Sequence, residues 1–439
     1  MADTVLLQGG AIVHEATIEI ADVLIRNGRI VEIAPALEVP TGAQVLDASG
    51  CLVGPSFVDL HTHLREPGGE EAETVATGAR AAALGGYGAI VAMPNTNPTT
   101  DCAAVVAQVL VLGRESCVDV AVAGALTIGR EGARLAPMAE MAELGVTIFT
   151  DDGMGIQDAA MMRRAMEYAN GLDVLVADHC EDESLANGGS MNESSLSAAL
   201  GLEGRSALAE EIMVARDLML AERVGGRLHL LHVSTARSVA LVKEAKRRGV
   251  RVTAEVAPHH LLLTEELCAT YDPVYKVHPP LRGEDDLHAL REALRSGVID
   301  AVATDHAPHP PETKDRPFGE APPGMLGLQQ AYAITNEALG ADAEPTVLFN
   351  VLSRNPARIA RLTKHDPRLG GQGAHGGNVE VGEDANLCVV DPSARQVVDL
   401  KSLASKAKNS PYEGREMTGA VRHTIVNGEA VVIDGKAQR

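Results

Sequence analysis

Apolar runs of four to eight residues recur through the middle of the chain, each followed by an Ala- and Leu-rich stretch with helical periodicity. The runs predict strands over 57–61, 87–93, 118–124, 146–150, 173–178, 227–232, 250–256 and 300–304. Amphipathic helices are predicted between them, among others over 101–113, 159–170, 206–224, 236–248 and 284–296. Eight such units over residues 55–370 predict an α/β fold of the (β/α)8 barrel type, with its chemistry at the C-terminal strand ends. A doubly wound open sheet is the alternative. The strand count and the polar residues at the strand ends favour the barrel.

The two ends of the chain read differently. Val5-Leu6-Leu7, Asp22–Ile25 and Arg29–Ile33 are strand-like, and Asn27-Gly28 is a two-residue hairpin signal. The C-terminal part repeats this pattern with a strand over 385–391 and a hairpin, 423–426 and 430–433, turning at Asn427-Gly428. Neither end has enough residues for its own core. Residues 1–54 and 371–439 are therefore expected to combine into one small β-sandwich domain, with 363–380 as the linker back to it.

Composition narrows the function. Of 439 residues, 45% are hydrophobic but only 2% aromatic, so the core must be built from Ala, Val, Leu and Ile. A formal charge of −22 argues against nucleic acid or an anionic membrane as partner. It leaves a small anionic substrate possible, because such a molecule feels only the local field. The six cysteines are scattered, with no Cys-x-x-Cys, so neither a disulfide framework nor a zinc knuckle is predicted. No signal peptide and no membrane span are expected, and the setting is read as reduced and cytoplasmic.

The candidate chemistry lies at the strand ends. His61 and His63 close the first strand, and alternation puts them on one side, where two imidazoles can take one metal ion. Arg65 continues the alternation and could hold an anionic group beside that metal. Asn95, after the second strand, is either a substrate contact or a turn residue. Asp151-Asp152-Gly153 ends the fourth strand and on its own reads as a turn; His179 ends the fifth. On the sixth, His229 and His232 face opposite sides; His232 is chosen as the ligand, and His229 is expected to point outward, half-buried. Pro258-His259-His260 follows the seventh strand, and its loop carries His278. Asp305, at the end of the eighth, is costly to bury unless it binds metal or a partner. Four histidines and two aspartates suit two divalent metals, most simply zinc.

Taken in order, His61-Thr62-His63-Leu64-Arg65-Glu66-Pro67-Gly68, Met93–Thr96, Phe149–Gly153, His179–Asp182, His232–Thr235, Pro258–Leu261 and Thr304–His309 resemble the amidohydrolase superfamily, and within it the dihydroorotases of the type I class. The resemblance runs nearly end to end. It implies that His61, His63 and Asp305 hold one zinc, His179 and His232 the other, and that Asp152 and a hydroxide bridge them. It implies that Arg65, Asn95 and His309 bind a substrate carboxylate, and that His63, Leu64, His278, Pro323 and Gly324 also contact substrate, the loop through Pro323-Gly324 closing over it. The implied reaction is zinc-dependent, reversible hydrolysis of dihydroorotate to N-carbamoyl-L-aspartate in pyrimidine synthesis, with Asp305 as the proton carrier. A homodimer is expected, with aspartate transcarbamoylase as a candidate partner. Hydantoinases and allantoinases are the nearest rivals, and a catalytically dead scaffold is the rival of another class. Hydantoinases bridge their metals with a carbamylated lysine on the fourth strand, and the first lysine of this chain is Lys243. His278 stands where type I relatives commonly have Asn, which puts its ring contact in question.

Overall fold

The computed structural model describes residues 4–340, 343–365 and 373–438. Eight parallel strands form the centre: Phe57–Thr62, Tyr87–Ala92, Asp119–Val122, Ile148–Phe149, Leu175–Asp178, Arg227–Leu230, Val252–Val256 and Ala301–Val302. The ladder closes through two parallel bridges, Gly124 to Phe149 between the third and fourth strands and Thr62 to His306 between the eighth and first. The fold is thus the closed barrel and not the open sheet. Helices Ala103–Arg114, Ala159–Gly171, Ala207–Val224, Ala236–Arg247 and Glu284–Arg295 pack outside it, each within two residues of its expected bounds.

Several strands are shorter than expected, and the reason bears on the site. The sixth stops at Leu230 and the eighth at Val302. Beyond the ladder, His232 (φ 31°), Asp305 (φ 44°) and Arg65 (φ 61°) adopt left-handed backbone conformations, which turn the chain over the barrel mouth. Period-two alternation therefore carries neither to Arg65 nor to His232.

Met191–Asn192 and Gly204–Arg205 pair by themselves, and the other strands form one nine-stranded sheet drawn from both ends of the chain, in which Leu52–Pro55 pairs with Thr4–Val13 on one side and Leu387–Val397 on the other. This sheet folds around a core of Val5, Leu7, Ile12, Val23, Ile25, Val53, Val389 and Ile425. His423 Nε2 donates to the Asp47 carbonyl (3.0 Å) across it. Both hairpins turn where expected: Asn27 and Gly28 have φ of 50° and 79°, and Asn427 and Gly428 have 51° and 80°. Part of the expected linker, 366–372, and with it the boundary at 370/371, lies outside the described residues. The scarce aromatics concentrate at one seam, where the Phe57 ring lies 5.7–5.8 Å from those of Tyr87, Tyr332 and Phe349. Gly54 belongs to the terminal sheet and Phe349 covers it so closely that a Cβ there would lie 2.3 Å from the ring.

Candidate metal centre and substrate pocket

At the C-terminal end of the barrel, a cavity of about 230 Å³ is lined by His63, Arg65, Asn95, Asp152, His179, His232, His278, Asp305, His309, Pro323 and Gly324, among others. Asp152 lies at the centre of the polar cluster. Its Oδ1 is 3.3 Å from His61 Nε2, 3.7 Å from His179 Nδ1 and 3.7 Å from His232 Nε2, while Oδ2 is 3.6 Å from His63 Nε2. Asp305 Oδ1 is 3.1 Å from His63 Nε2 and 3.6 Å from His61 Nε2. His179 Nδ1 and His232 Nε2 are 2.9 Å apart. All six expected ligand residues are buried and brought together.

The donor set fits a divalent cation. His61 Nδ1 faces Glu255 Oε1 at 2.9 Å and His63 Nδ1 faces Asn95 Oδ1 at 2.8 Å. Both acceptors call for an N–H at Nδ1, which leaves each Nε2 lone pair aimed at the carboxylates. His61 Nε2 is buried and makes no hydrogen bond. Lone pairs turned toward carboxylate oxygens repel unless a positive charge lies between them, and N/O donors in this arrangement suit zinc. The electrostatics agree. Burial would push Asp152 and Asp305 up, but the surrounding imidazoles outweigh it and hold both below the usual carboxylate range. Burial opposes charge on His179 as well, yet Asp152 and Glu181 raise it to about 10. The cluster attracts positive charge.

A second layer, which the sequence reading missed, holds the first. Glu255, 1% exposed, accepts from His61 Nδ1 and, at 2.9 Å, from His229 Nε2; His229 Nδ1 lies 2.8 Å from Thr253 Oγ1. His229 is therefore no outward half-buried residue: it is 1% exposed and points into the barrel. The expectation failed because it extended alternation from His232, which lies past the end of the strand. The signal for Glu255 was present, since a glutamate inside the apolar run Val252–Val256 needs a buried partner. Asp151, the other acid of the pair, accepts from the Leu126 (2.8 Å) and Thr127 (3.0 Å) amides and from the Thr127 hydroxyl, so it fixes the loop behind Asp152.

On the opposite wall, Arg65 Nε donates to the Pro308 carbonyl (3.2 Å). His309 is held neutral, lowered to about 3 by burial and Arg65, and its Nε2 donates to the Pro323 carbonyl at 2.8 Å. Gly324 has φ 142°, and a Cβ there would lie 2.7 Å from His309 Nε2. His278 is likewise neutral, lowered to about 3 by burial and Arg205, and its buried Nε2 has no hydrogen-bond partner. Leu64, expected at the substrate, turns its side chain away: it is 2% exposed and packs where a Cβ on Gly78 of helix Val75–Leu84 would lie 2.4 Å from it.

Residues 50–238 match the family described as dihydro-orotase-like. A dihydroorotase of Streptomyces coelicolor is 50% identical over 421 residues, covering 94% of this chain and 96% of that protein. One from Mycobacterium tuberculosis is 46% identical over 426 residues, covering 95% and 96%. Among solved structures, the L-hydantoinase (dihydropyrimidinase) of Arthrobacter aurescens superposes with a TM-score of 0.87 at 25% identity, covering 100% of this chain and 98% of that one. A D-hydantoinase superposes at 0.82 with 26% identity over 99% and 96%.

Proposed function

The chain belongs to the dihydroorotase family, and from that premise we propose that its barrel mouth catalyses the reversible hydrolysis of the ring amide of (S)-dihydroorotate to N-carbamoyl-L-aspartate, a step of pyrimidine synthesis. The observation that carries the reading is the convergence of four imidazoles and two carboxylates at one small cavity, with the half-buried Arg65 on its opposite wall. We assign His61, His63 and Asp305 to one zinc, His179 and His232 to a second, and Asp152 to the position between them. Bound there, the ions supply Lewis acidity and a water of lowered pKa.

The protein's own groups do the rest. Asp305, ionised beside His63, is poised to take the proton of the attacking water and deliver it to the departing ring nitrogen; in reverse it takes the proton from the ureido nitrogen. Arg65 offers a fixed cation to the ring carboxylate. Asn95 and Glu255 orient His63 and His61 through their Nδ1 atoms. Neutral His278 lines the cavity beside the substrate ring, and His309 with Pro323 and Gly324 forms the wall beside Arg65. A hydantoinase reading is disfavoured by the carboxylate at Asp152, since no lysine precedes Lys243.

Among the described residues, no helix is long and apolar enough to cross a membrane. Among the described residues no disulfide joins the cysteines, which supports the cytoplasmic setting we propose. The reading extends to a homodimer and to aspartate transcarbamoylase as a partner, which size-exclusion chromatography with and without that enzyme tests. The decisive assay follows loss of dihydroorotate by the zinc-loaded protein, with hydantoin and allantoin in parallel and bound metal measured in the same sample. Turnover of dihydroorotate alone supports the assignment; turnover of hydantoin instead, or no turnover with metal bound, overturns it.

A further inference from the structure

Strands Leu387–Val397 and Glu416–Val426 are antiparallel neighbours in the terminal sheet, and such neighbours need only a short turn. The chain instead sends residues 398–415 away to the barrel mouth. This strap is anchored at several points. Lys406 N donates to Glu73 Oε1 (3.0 Å), Ser405 Oγ donates to the same carboxylate, and Ala407 N donates to the Ala72 carbonyl (3.1 Å). Leu403 and Ala407 pack on Leu326.

At its tip is Asn409, 6% exposed. Its Nδ2 donates to the carbonyls of Ala307 (2.9 Å) and Gly324 (3.1 Å), its Oδ1 accepts from the backbone N–H of His309 (3.0 Å), and its own carbonyl accepts from Leu326 N (3.2 Å). Ala307, His309 and Gly324 all line the cavity. One side chain thus ties together the two segments of the loop that make the wall beside Arg65. Only one orientation of the amide serves all three bonds, and among side chains of this size only Asn offers two donors and an acceptor in that arrangement.

We propose that Asn409, contributed by the terminal β-sheet, is a positioning residue for substrate binding: it fixes His309 and Gly324 at the separation that receives the ring carboxylate. The proposal rests on the dihydroorotase reading for the identity of that substrate, but the loop geometry it asserts does not. Asn409→Asp places a carboxylate oxygen against two carbonyls, Asn409→Ala removes all three bonds, and Asn409→Ser restores one.

The test uses the full-length, zinc-loaded protein. We expect KM for dihydroorotate to rise in the order Ser, Ala, Asp, by about tenfold or more for Asp, with kcat within about threefold of wild type. In hydrogen-exchange mass spectrometry, peptides spanning 303–327 should exchange faster in the Asp and Ala variants, with 57–66 unchanged. Wild-type KM together with wild-type exchange in 303–327 would overturn the proposal. So would a fall in kcat with KM unchanged and exchange faster everywhere, which is what general destabilisation produces. If the wild type itself fails to turn over dihydroorotate, the functional reading falls, and the exchange measurement still decides whether Asn409 holds the loop.

Discussion

Replacing Glu255 by Leu tests whether the metal centre is organised from inside the barrel. The substitution keeps the approximate volume and removes both acceptors. His61 Nδ1 and His229 Nε2, each 2.9 Å from the carboxylate and each buried, lose a charge-assisted hydrogen bond. Such bonds are worth about 1.5–3 kcal/mol each, partly offset here by apolar packing of the new side chain. The larger consequence falls on His61. Without an acceptor at Nδ1, its ring is free to rotate and to move its proton to Nε2, the atom that faces Asp152 at 3.3 Å. Losing an outer partner of this kind costs metal affinity about 10–100-fold, which is about 1.4–2.8 kcal/mol.

Glu255→Gln should cost less. Its single acceptor oxygen can serve His61, while His229 changes tautomer to accept at Nε2 and donate from Nδ1 to Thr253 Oγ1, 2.8 Å away. The assay is zinc retention against a graded chelator, with circular dichroism as the check on folding. A Leu variant that folds and holds zinc as tightly as wild type, or a Gln variant weaker than Leu, would refute the reasoning.

Three further outcomes follow from the same geometry. Asp305→Asn should lower kcat by about 10²–10⁴-fold, the range for a lost general acid–base group, while substrate still binds; near-normal turnover would sink its assignment as proton carrier. Gly324→Ala should raise KM and weaken the His309–Pro323 hydrogen bond, because the added Cβ would meet His309 Nε2 at 2.7 Å and φ is 142°; an unchanged KM counts against the loop as a substrate wall. Acid stability should depend on Glu255. Burial raises its carboxyl, but the hydrogen bonds from His229 and His61 outweigh this and lower it from 4.5 to about 2. The unfolded chain therefore takes up the proton first. The stabilisation, about 3 kcal/mol, is complete above pH 4.5 and disappears as pH falls toward 2. Urea midpoints of metal-free wild type and Glu255→Leu should differ at pH 7 and converge near pH 2–3; a gap that stays constant would contradict this.

The local pattern of the chain determines a great deal. Eight apolar runs with intervening amphipathic stretches specify eight β/α units, because a parallel strand buried on both faces must be apolar throughout and its crossover helix must be apolar on one side. Asn-Gly at 27–28 and 427–428 specifies two hairpin turns, because those residues tolerate positive φ. Buried acids and histidines at strand ends mark the site, because ionisable groups survive burial only with partners. What tertiary structure alone decides is where the periodic rules stop. His232, Arg65 and Asp305 reach the cavity through left-handed turns that no alternation predicts, and the strain of such turns is sustained only by the surrounding packing. Leu64 lies between two cavity-lining residues in sequence yet faces the helix behind it. Asn409 lies far from His309 in sequence and has an unremarkable local context. Its place at the pocket exists only because the terminal strands come together in one sheet and release a strap toward the barrel mouth, a long-range arrangement with no local periodicity to announce it.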